Sequence, residues 1–123
     1  MDELKLQRLL KKFCEERHWQ EFHTLRNIAT ALSVEASELL EIFQWMNKDL
    51  DLKKEKEIKN QISDEVADIM LYLLRFCDLA DIDLETACAQ KIKKNKKRYP
   101  VKLAKGTSTK YNKLKKLDNA KKK

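Results

Sequence analysis

The sequence contains little of what makes tight turns, membrane spans or soft-metal sites. Its 123 residues include one glycine and one proline, which leaves little material for tight turns. It has only two histidines, and the three cysteines are widely spaced, so we do not expect a zinc site. Cys14, Cys77 and Cys88 are odd in number and are predicted to be reduced core thiols of a cytoplasmic protein. No apolar run approaches membrane-spanning length and no signal-peptide pattern is present, so no membrane partner is expected.

What the sequence does have is the composition of amphipathic helices, with 42% apolar and 38% charged residues. Apolar spacing predicts four helices, Asp2 to Arg17, Leu25 to Asn47, a third ending near Ala80, and a fourth from Leu84 to about Arg98. Asp83 is expected to cap the fourth helix, and Tyr99-Pro100 to end it. We therefore predict an all-α fold, a four-helix bundle in residues 1–100, followed by a partly disordered basic tail in residues 101–123.

The charge of the chain is unevenly distributed. Residues 1–90 hold 12 lysines and arginines against 19 acidic residues, a net charge of −7. Residues 91–123 hold 15 against one, a net charge of +14. A basic arm of this kind is typical of a nucleic-acid-binding or scaffold protein, which is the competing hypothesis for function. Because the body is acidic and no recognisable nucleic-acid-reading motif is present, we do not expect a nucleic-acid partner.

Two segments place acidic residues on faces that a helix bundle should bury. At 100° per residue, Glu35 lies within about 40° of four apolar residues, Ile28, Ala31, Leu39 and Ile42. Glu38 lies about 60° to one side of Glu35. In the third helix, Glu65 and Asp68 repeat this i, i+3 spacing on an apolar face. If the two helices pack by these faces, four carboxylates converge.

Four converging carboxylates need a positively charged partner, because like charges raise one another's pKa and destabilise the fold. One alternative is that each acid pairs with a buried base, for which the candidates are Arg26, Arg75 and Lys91. The candidate bases are fewer than the acids, so we favour a hard divalent cation with oxygen ligands, Mg²⁺ or Mn²⁺. Such a site leaves coordination positions for phosphates, which predicts a phosphate ester or anhydride as the substrate.

At these residues the chain resembles the all-α nucleoside triphosphate pyrophosphohydrolases of the MazG-like superfamily. The family pattern, E-x-x-E followed by E-x-x-D, is present as Glu35-Ala-Ser-Glu38 and Glu65-Val-Ala-Asp68. Four blocks are similar in order and spacing to the small dCTP pyrophosphatase branch, namely "ERHWQEFHTLRN", "EASELLEIFQW", "DEVADIMLYLL" and "KNKKRYP". The resemblance extends over residues 4–114.

The resemblance implies cleavage between the α- and β-phosphates of a nucleoside triphosphate, dCTP or a related pyrimidine. It also implies that Mg²⁺ is held by four acids, Glu35, Glu38, Glu65 and Asp68. We assign Glu38 as the general base. Glu41 matches a further family acid and is expected to orient a ligand or a metal-bound water. Retention of the four acids argues against a third hypothesis, a catalytically inactive homologue.

Candidate base-binding residues lie around the first and second helices. They are Trp19, His23, Asn27 and Trp45. Each tryptophan taken alone is better explained as a core or interface residue, but the resemblance implies otherwise, because both match aromatic positions that line the base pocket of the branch. Asn27 could equally cap the second helix. The sequence has Leu10 where mammalian-type members have histidine, which leaves the base preference open.

Candidate residues for the sugar and phosphates lie on the third and fourth helices. Tyr72 follows Asp68 by one turn on the same face and is expected to contact the sugar. A basic stripe at i, i+3, i+4 and i+7 is formed by Lys91, Lys94, Asn95 and Arg98. Cationic side chains suit phosphate oxygens, and Lys91 and Asn95 match ligand positions of the family.

The third helix also predicts self-assembly. The side opposite Glu65 carries four further residues, Ala67, Met70, Leu71 and Leu74, so this helix is apolar nearly all round. A helix of this kind must be covered on both sides, and one short chain has little to cover the second side. We therefore expect a homodimer or a homotetramer.

Overall fold

The computed structural model describes residues 1–46 and 50–106, and all regular structure in these ranges is helical. The elements are α1 Glu3–Glu16, a 3₁₀ turn Gln20–Phe22, α2 Leu25–Phe43, α3 Lys56–Ala80, α4 Leu84–Arg98 and α5 Val101–Ala104. The all-α prediction is confirmed for this part of the chain. The second helix ends at Phe43, earlier than predicted, and Asn47 and residues 107–123 of the predicted tail lie outside the described residues. None of the described helices is long and apolar enough to cross a membrane.

Short polar side chains begin three of the helices. Asp2 accepts a hydrogen bond from the backbone N–H of Lys5 at 2.9 Å at the start of α1. Thr24 caps α2 in the same way, and Asp83 caps α4 by accepting from Thr86 N at 3.0 Å. Such caps satisfy backbone donors that have no partner within the helix. The prediction that Asp83 caps the fourth helix is confirmed.

The ends of α1 and α3 show how a chain with almost no glycine makes its turns. His18 and Asp81 both adopt the left-handed conformation with φ of 53°, a position that glycine most often occupies. Past each of these residues the backbone N–H bonds back to the helix, Trp19 N to Cys14 O at 3.0 Å and Ile82 N to Cys77 O at 2.9 Å. These bonds satisfy the last carbonyls of each helix and reverse the chain.

Helix α3 is the centre of the first part of the fold, where it packs mainly against α2 and also against α1. Its residue Leu74 is 0% exposed, and Gln7 of α1 donates to the Leu74 carbonyl at 3.0 Å. Leu74 lies about 180° around the helix from Glu65. The prediction that a second subunit is needed to cover this side is therefore wrong for Leu74, because this leucine is already buried within the chain.

Contacts divide the chain into two compact units, Met1–Ile82 and Asp83–Lys123, which we describe separately. The first unit contains α1, α2 and α3, and the second begins with α4. The structure has five α-helices in the described residues rather than four, so the four-helix bundle is not confirmed, and the division at residue 100 stays a prediction. Cys14 and Cys77 are buried, as predicted for core residues, whereas the prediction of a core position is wrong for Cys88, which is exposed on α4.

Candidate metal centre and adjoining cavity

The packing of α2 against α3 brings three carboxylates together. Glu35 and Glu38 of α2 and Glu65 of α3 each place one oxygen within 4.8 Å of the other two. All three side chains are half-buried. Asp68 is more exposed and lies outside this group, although it is close enough for its charge to act on Glu35 and Glu65. We call Glu35, Glu38 and Glu65 the acid cluster.

The carboxyl groups of the acid cluster are close enough to perturb one another's pKa. Burial, the adjoining carboxyls of Glu38 and Glu65, and the negative charge of Asp68 together raise the pKa of Glu35 from 4.5 to about 7. For Glu65, interaction with Glu35 acts to lower the pKa. That effect is outweighed by burial and by the charges of Glu38 and Asp68, so its pKa is raised. Glu35 and Glu65 therefore hold protons more tightly than free carboxylates do.

Two oxygens of the cluster have no partner. Glu35 Oε2 and Glu65 Oε2 are buried, and neither has a hydrogen bond within residues 1–46 and 50–106. The ion pairs found in these ranges also leave the cluster out. Buried carboxylate oxygens without donors are costly, and converging oxygens are the ligands that Mg²⁺ and Mn²⁺ prefer. The residues present therefore fit a hard divalent cation.

The alternative of buried ion pairs is not supported for the two arginines. Arg75 is buried, but it pairs with Asp78, with Nη1 and Oδ2 3.4 Å apart. Arg26 is exposed and makes no ion pair in the described part of the chain. Lys91 belongs to the second unit. Among the described residues of the first unit, therefore, no base forms an ion pair with the cluster.

A cavity of about 450 Å³ lies in the same unit, walled by α1, α3 and the turn between α1 and α2. Its lining is mostly apolar, with Leu6, Leu9, Leu10, Phe13 and Leu71. The other lining residues are Cys14, Trp19, His23, Asp68, Tyr72 and Arg75. An apolar cavity with a few polar groups is typical of small-molecule sites.

Asp68 and Tyr72 connect the cavity with the acid cluster. Both side chains line the cavity. Burial, followed by the charges of Glu35 and Asp68, raises the pKa of the Tyr72 hydroxyl, which places the ring in the field of the cluster. The predicted proximity of Tyr72 to the acidic residues is thus present in the structure, whereas its contact with a sugar stays a prediction.

The predicted base-binding residues fall into two groups. Trp19 and His23 line the cavity, and the Trp19 ring packs edge-on against Phe13 at 5.6 Å between centroids. Trp45 is 85% exposed and is not part of the cavity lining, because it follows the end of α2. Of the four predicted residues, the structure brings only Trp19 and His23 to the cavity.

Asn27 makes two hydrogen bonds that hold the segment before α2 against the start of the helix. Its side-chain amide donates to the Phe22 carbonyl at 2.9 Å, and its backbone N–H donates to Thr24 Oγ1 at 3.1 Å. The cap of α2 is therefore Thr24, and Asn27 ties the 3₁₀ turn to the helix. The alternative that Asn27 caps the second helix is therefore wrong, whereas its role in reading a base stays a prediction.

The remaining predicted residues are exposed. Glu41 is exposed on α2 and is not part of the acid cluster. The basic stripe of α4 is also exposed and consists of Lys91, Lys94, Asn95 and Arg98. These four side chains share one helix, as the spacing predicts, but α4 belongs to the second unit. Their roles in phosphate binding, and that of Glu41 in catalysis, stay predictions.

The sequence-based search missed the most buried polar residue of the cavity. Arg75 is 7% exposed, and its Nε donates to His23 Nδ1 at 3.1 Å. The sequence suggested Arg75 only as a partner for a buried acid. Its position three residues after Tyr72 was a usable signal, because the two then share a helix face.

Comparison with known proteins places the site in context. A sequence profile of the MazG-like family matches residues 30–114, which include the acid cluster. The dCTP pyrophosphatase 1 of Rattus norvegicus is 34% identical over 111 residues, which cover 89% of this chain and 65% of the rat protein. The Homo sapiens protein of the same name is 33% identical over the same length and share. The chain therefore spans about 65% of the length of these relatives.

A solved structure shares the fold. The crystal structure of a pyrophosphatase from Archaeoglobus fulgidus DSM 4304 aligns with a TM-score of 0.69 and 38% sequence identity. The alignment covers 78% of this chain and 90% of the archaeal one.

Proposed function

The chain belongs to the MazG-like family, and from this premise we propose that it hydrolyses nucleoside triphosphates to a monophosphate and pyrophosphate. The observation that carries the proposal is the acid cluster beside a cavity large enough for a nucleoside. The names of the relatives, dCTP pyrophosphatase 1 and a pyrophosphatase, support the same reaction class. We further propose dCTP or a related pyrimidine nucleotide as the substrate.

We propose that Glu35, Glu38 and Glu65, with Asp68 beside them, hold Mg²⁺ or Mn²⁺. When bound, a divalent cation neutralises charge on the phosphates and makes them more reactive toward water. Support for this assignment comes from the two buried oxygens of Glu35 and Glu65, which have no hydrogen-bond partner and no ion pair in the described part of the chain.

The chain's own residues supply the rest of the proposed chemistry. A carboxylate oxygen of Glu38 accepts the proton of the attacking water, as a general base. The nucleoside lies in the cavity, where Trp19 offers an aromatic surface to the base and Tyr72 packs against the sugar. A tyrosine packed against the sugar disfavours a 2′-hydroxyl, which favours deoxynucleotides. Lysines and Arg98 of the basic stripe on α4 bind phosphate oxygens.

A release assay tests the proposal. Pyrophosphate is measured with each nucleoside triphosphate in turn, with millimolar Mg²⁺ or with EDTA. We expect release only with Mg²⁺, highest with a pyrimidine deoxynucleotide, and lost in Glu38→Gln. Absence of release with every nucleotide would overturn the proposal. Salt-sensitive binding of DNA or RNA in its place would favour the basic-arm hypothesis.

We propose a cytoplasmic location and a homodimeric or homotetrameric assembly. The three cysteines form no disulfide in the structure, which supports a reducing compartment. Assembly is supported by exposed apolar residues on the helices that carry the cluster, with Leu40 of α2 70% exposed and Val66 of α3 50% exposed. Leu40→Glu should dissociate the assembly in sedimentation equilibrium. A wild-type protein that is monomeric at micromolar concentration would contradict this part.

A further inference from the structure

A partly buried hydrogen bond joins Arg75 to His23 in the cavity wall and involves no residue of the acid cluster. The Arg75 Nε–H donates to His23 Nδ1 at 3.1 Å, and Arg75 Nη1 lies 3.4 Å from Asp78 Oδ2. Because a guanidinium does not lose its protons in a protein, Nε is always a donor. Nδ1 must then be an acceptor, so the neutral imidazole carries its hydrogen on Nε2.

We propose that Arg75 is a positioning residue that fixes the tautomer of His23, so that Nε2–H is a constant hydrogen-bond donor to a bound ligand. Nε2 has no hydrogen-bond partner in the part of the chain that the structure describes, and His23 lines the cavity. The group that it would meet is an acceptor, such as the ring carbonyl of a pyrimidine base. The identity of that ligand rests on the proposed function, whereas the tautomer does not.

The surroundings of His23 keep it neutral. Burial and then the positive charge of Arg75 lower its pKa from 6.5. Other titratable groups of the same cavity are Cys14 from α1 and Asp68 and Tyr72 from α3. Asp68 is an acidic side chain of this set, and the shift of the His23 pKa is nonetheless downward. Protonation of Nδ1 would also break the bond from Arg75 and set two cations side by side.

A fixed donor matters because the cavity is mostly apolar. A ligand atom that meets Nε2–H there must accept a hydrogen bond, or it leaves a desolvated donor unpaired. A histidine free to exchange tautomers would accept from a donor atom equally well and would discriminate less. Asp78 holds the far end of the guanidinium, so Arg75 is itself fixed.

Nuclear magnetic resonance of the wild-type protein tests the tautomer without any nucleotide. The ring nitrogen shifts of ¹⁵N-labelled histidine distinguish Nε2–H, Nδ1–H and imidazolium forms. The chain has two histidines, and the exposed His18 serves as internal control, identified by His18→Gln. We expect His23 to show the Nε2–H form at about pH 7.5, where its lowered pKa leaves the imidazole neutral. An Nδ1–H or cationic His23 at neutral pH would overturn the proposal.

Variants test whether Arg75 is the cause. Arg75→Met should raise the His23 pKa toward its ordinary value and give mixed tautomers. Arg8→Met, which changes an exposed arginine of α1, is the matched control and should leave both signals unchanged. An unchanged His23 in folded Arg75→Met would refute the role of Arg75. If Arg75→Met does not fold, the wild-type measurement still decides the tautomer.

A double-mutant cycle tests whether the contact serves ligand binding, with dCTP as the probe. Losing one well-placed hydrogen bond corresponds to about a tenfold rise in KM, with kcat unchanged. We expect that rise for Arg75→Met in the wild-type background, and less than about a twofold change in a His23→Phe background. Equal effects in both backgrounds would show that Arg75 does not act through His23. If wild type cleaves no nucleotide, the proposed function fails, and the tautomer measurement still stands by itself.

Discussion

Replacing Glu35 by glutamine should make the metal-free protein more stable and remove most of its response to Mg²⁺. Glu35 contributes one of three carboxylate oxygens that lie within 4.8 Å of one another. Its Oε2 is buried and has no hydrogen-bond partner among the described residues. Glutamine keeps the shape of the side chain, removes the charge and offers an amide donor to Glu38 or Glu65.

The size of the effect follows from the geometry. Two unit charges 4.8 Å apart repel by about 0.9 kcal/mol in water. Physiological salt roughly halves this figure. Glu35→Gln removes two such pairs, so relief of this repulsion alone should raise the free energy of unfolding by about 1 kcal/mol. For a chain of this length, that rise corresponds to a melting temperature about 3 to 5 °C higher.

The stability that the Glu35→Gln variant gains over wild type depends on pH. The folded-state pKa of Glu35 is about 7, above its ordinary value of 4.5. The folded state therefore holds the proton more tightly than the unfolded state, and metal-free stability falls as pH rises from about 4.5 to about 7. Since Glu35 is mostly ionised at about pH 8, the advantage of the glutamine variant should be largest there and smallest near pH 5.

Thermal melts followed by circular dichroism, in EDTA and in millimolar Mg²⁺, measure both effects. The matched control is Glu15→Gln, which removes an exposed carboxylate of α1 that makes no ion pair in the described residues. Wild type and the control should gain stability with Mg²⁺, because a ligand of the native state stabilises it by mass action. A Glu35→Gln variant with the wild-type melt in EDTA and the wild-type Mg²⁺ response would refute the acid cluster as a metal site.

Three further predictions concern catalysis, packing and pH. Glu38→Gln should lose pyrophosphate release by at least about a hundredfold while its circular dichroism spectrum is unchanged, and near-normal activity would exclude Glu38 as the base. Leu74→Ala should lower the free energy of unfolding in urea by about 3 to 4 kcal/mol, whereas Leu4→Ala, at an exposed leucine of α1, should lower it by less than about 1 kcal/mol; similar values would show that Leu74 is not core. Half-saturation by Mg²⁺ should require more metal as pH falls below about 7, because the raised pKa of Glu35 makes protons compete with the cation; a pH-independent affinity would contradict this.

The acid cluster could be predicted because it depends on helical periodicity alone. Glu35 and Glu38 are one turn apart, and the apolar residues around Glu35 define the face by which α2 packs. Glu65 lies on the corresponding face of α3. Local capping by Asp83 was predictable for the same reason, since it involves residues three positions apart.

Features that depend on contacts between distant parts of the chain could not be predicted. The burial of Leu74 requires α1 to lie against α3, which no pattern within α3 reveals. The exposure of Trp45 depends on α2 ending at Phe43, and the pattern alone continued the helix further. The pairing of Arg75 with His23 joins residues 52 positions apart, and helical spacing carries no information on such a pair.

Helix α3 carries two charged side chains with buried polar atoms, Arg75 and Glu65, which differ in whether the chain supplies them with partners. Arg75 is buried and has acceptors inside the chain, because His23 and Asp78 accept hydrogen bonds from its guanidinium. Glu65 is on another face of the helix, and its buried Oε2 has no donor in the described residues. A buried charge that is fully paired stabilises and positions its neighbours, whereas one left unpaired costs stability unless a ligand supplies the missing charge. The same helix therefore gives two different expectations: losing the Arg75 charge should weaken the fold, and losing a cluster charge should strengthen the metal-free fold while abolishing activity.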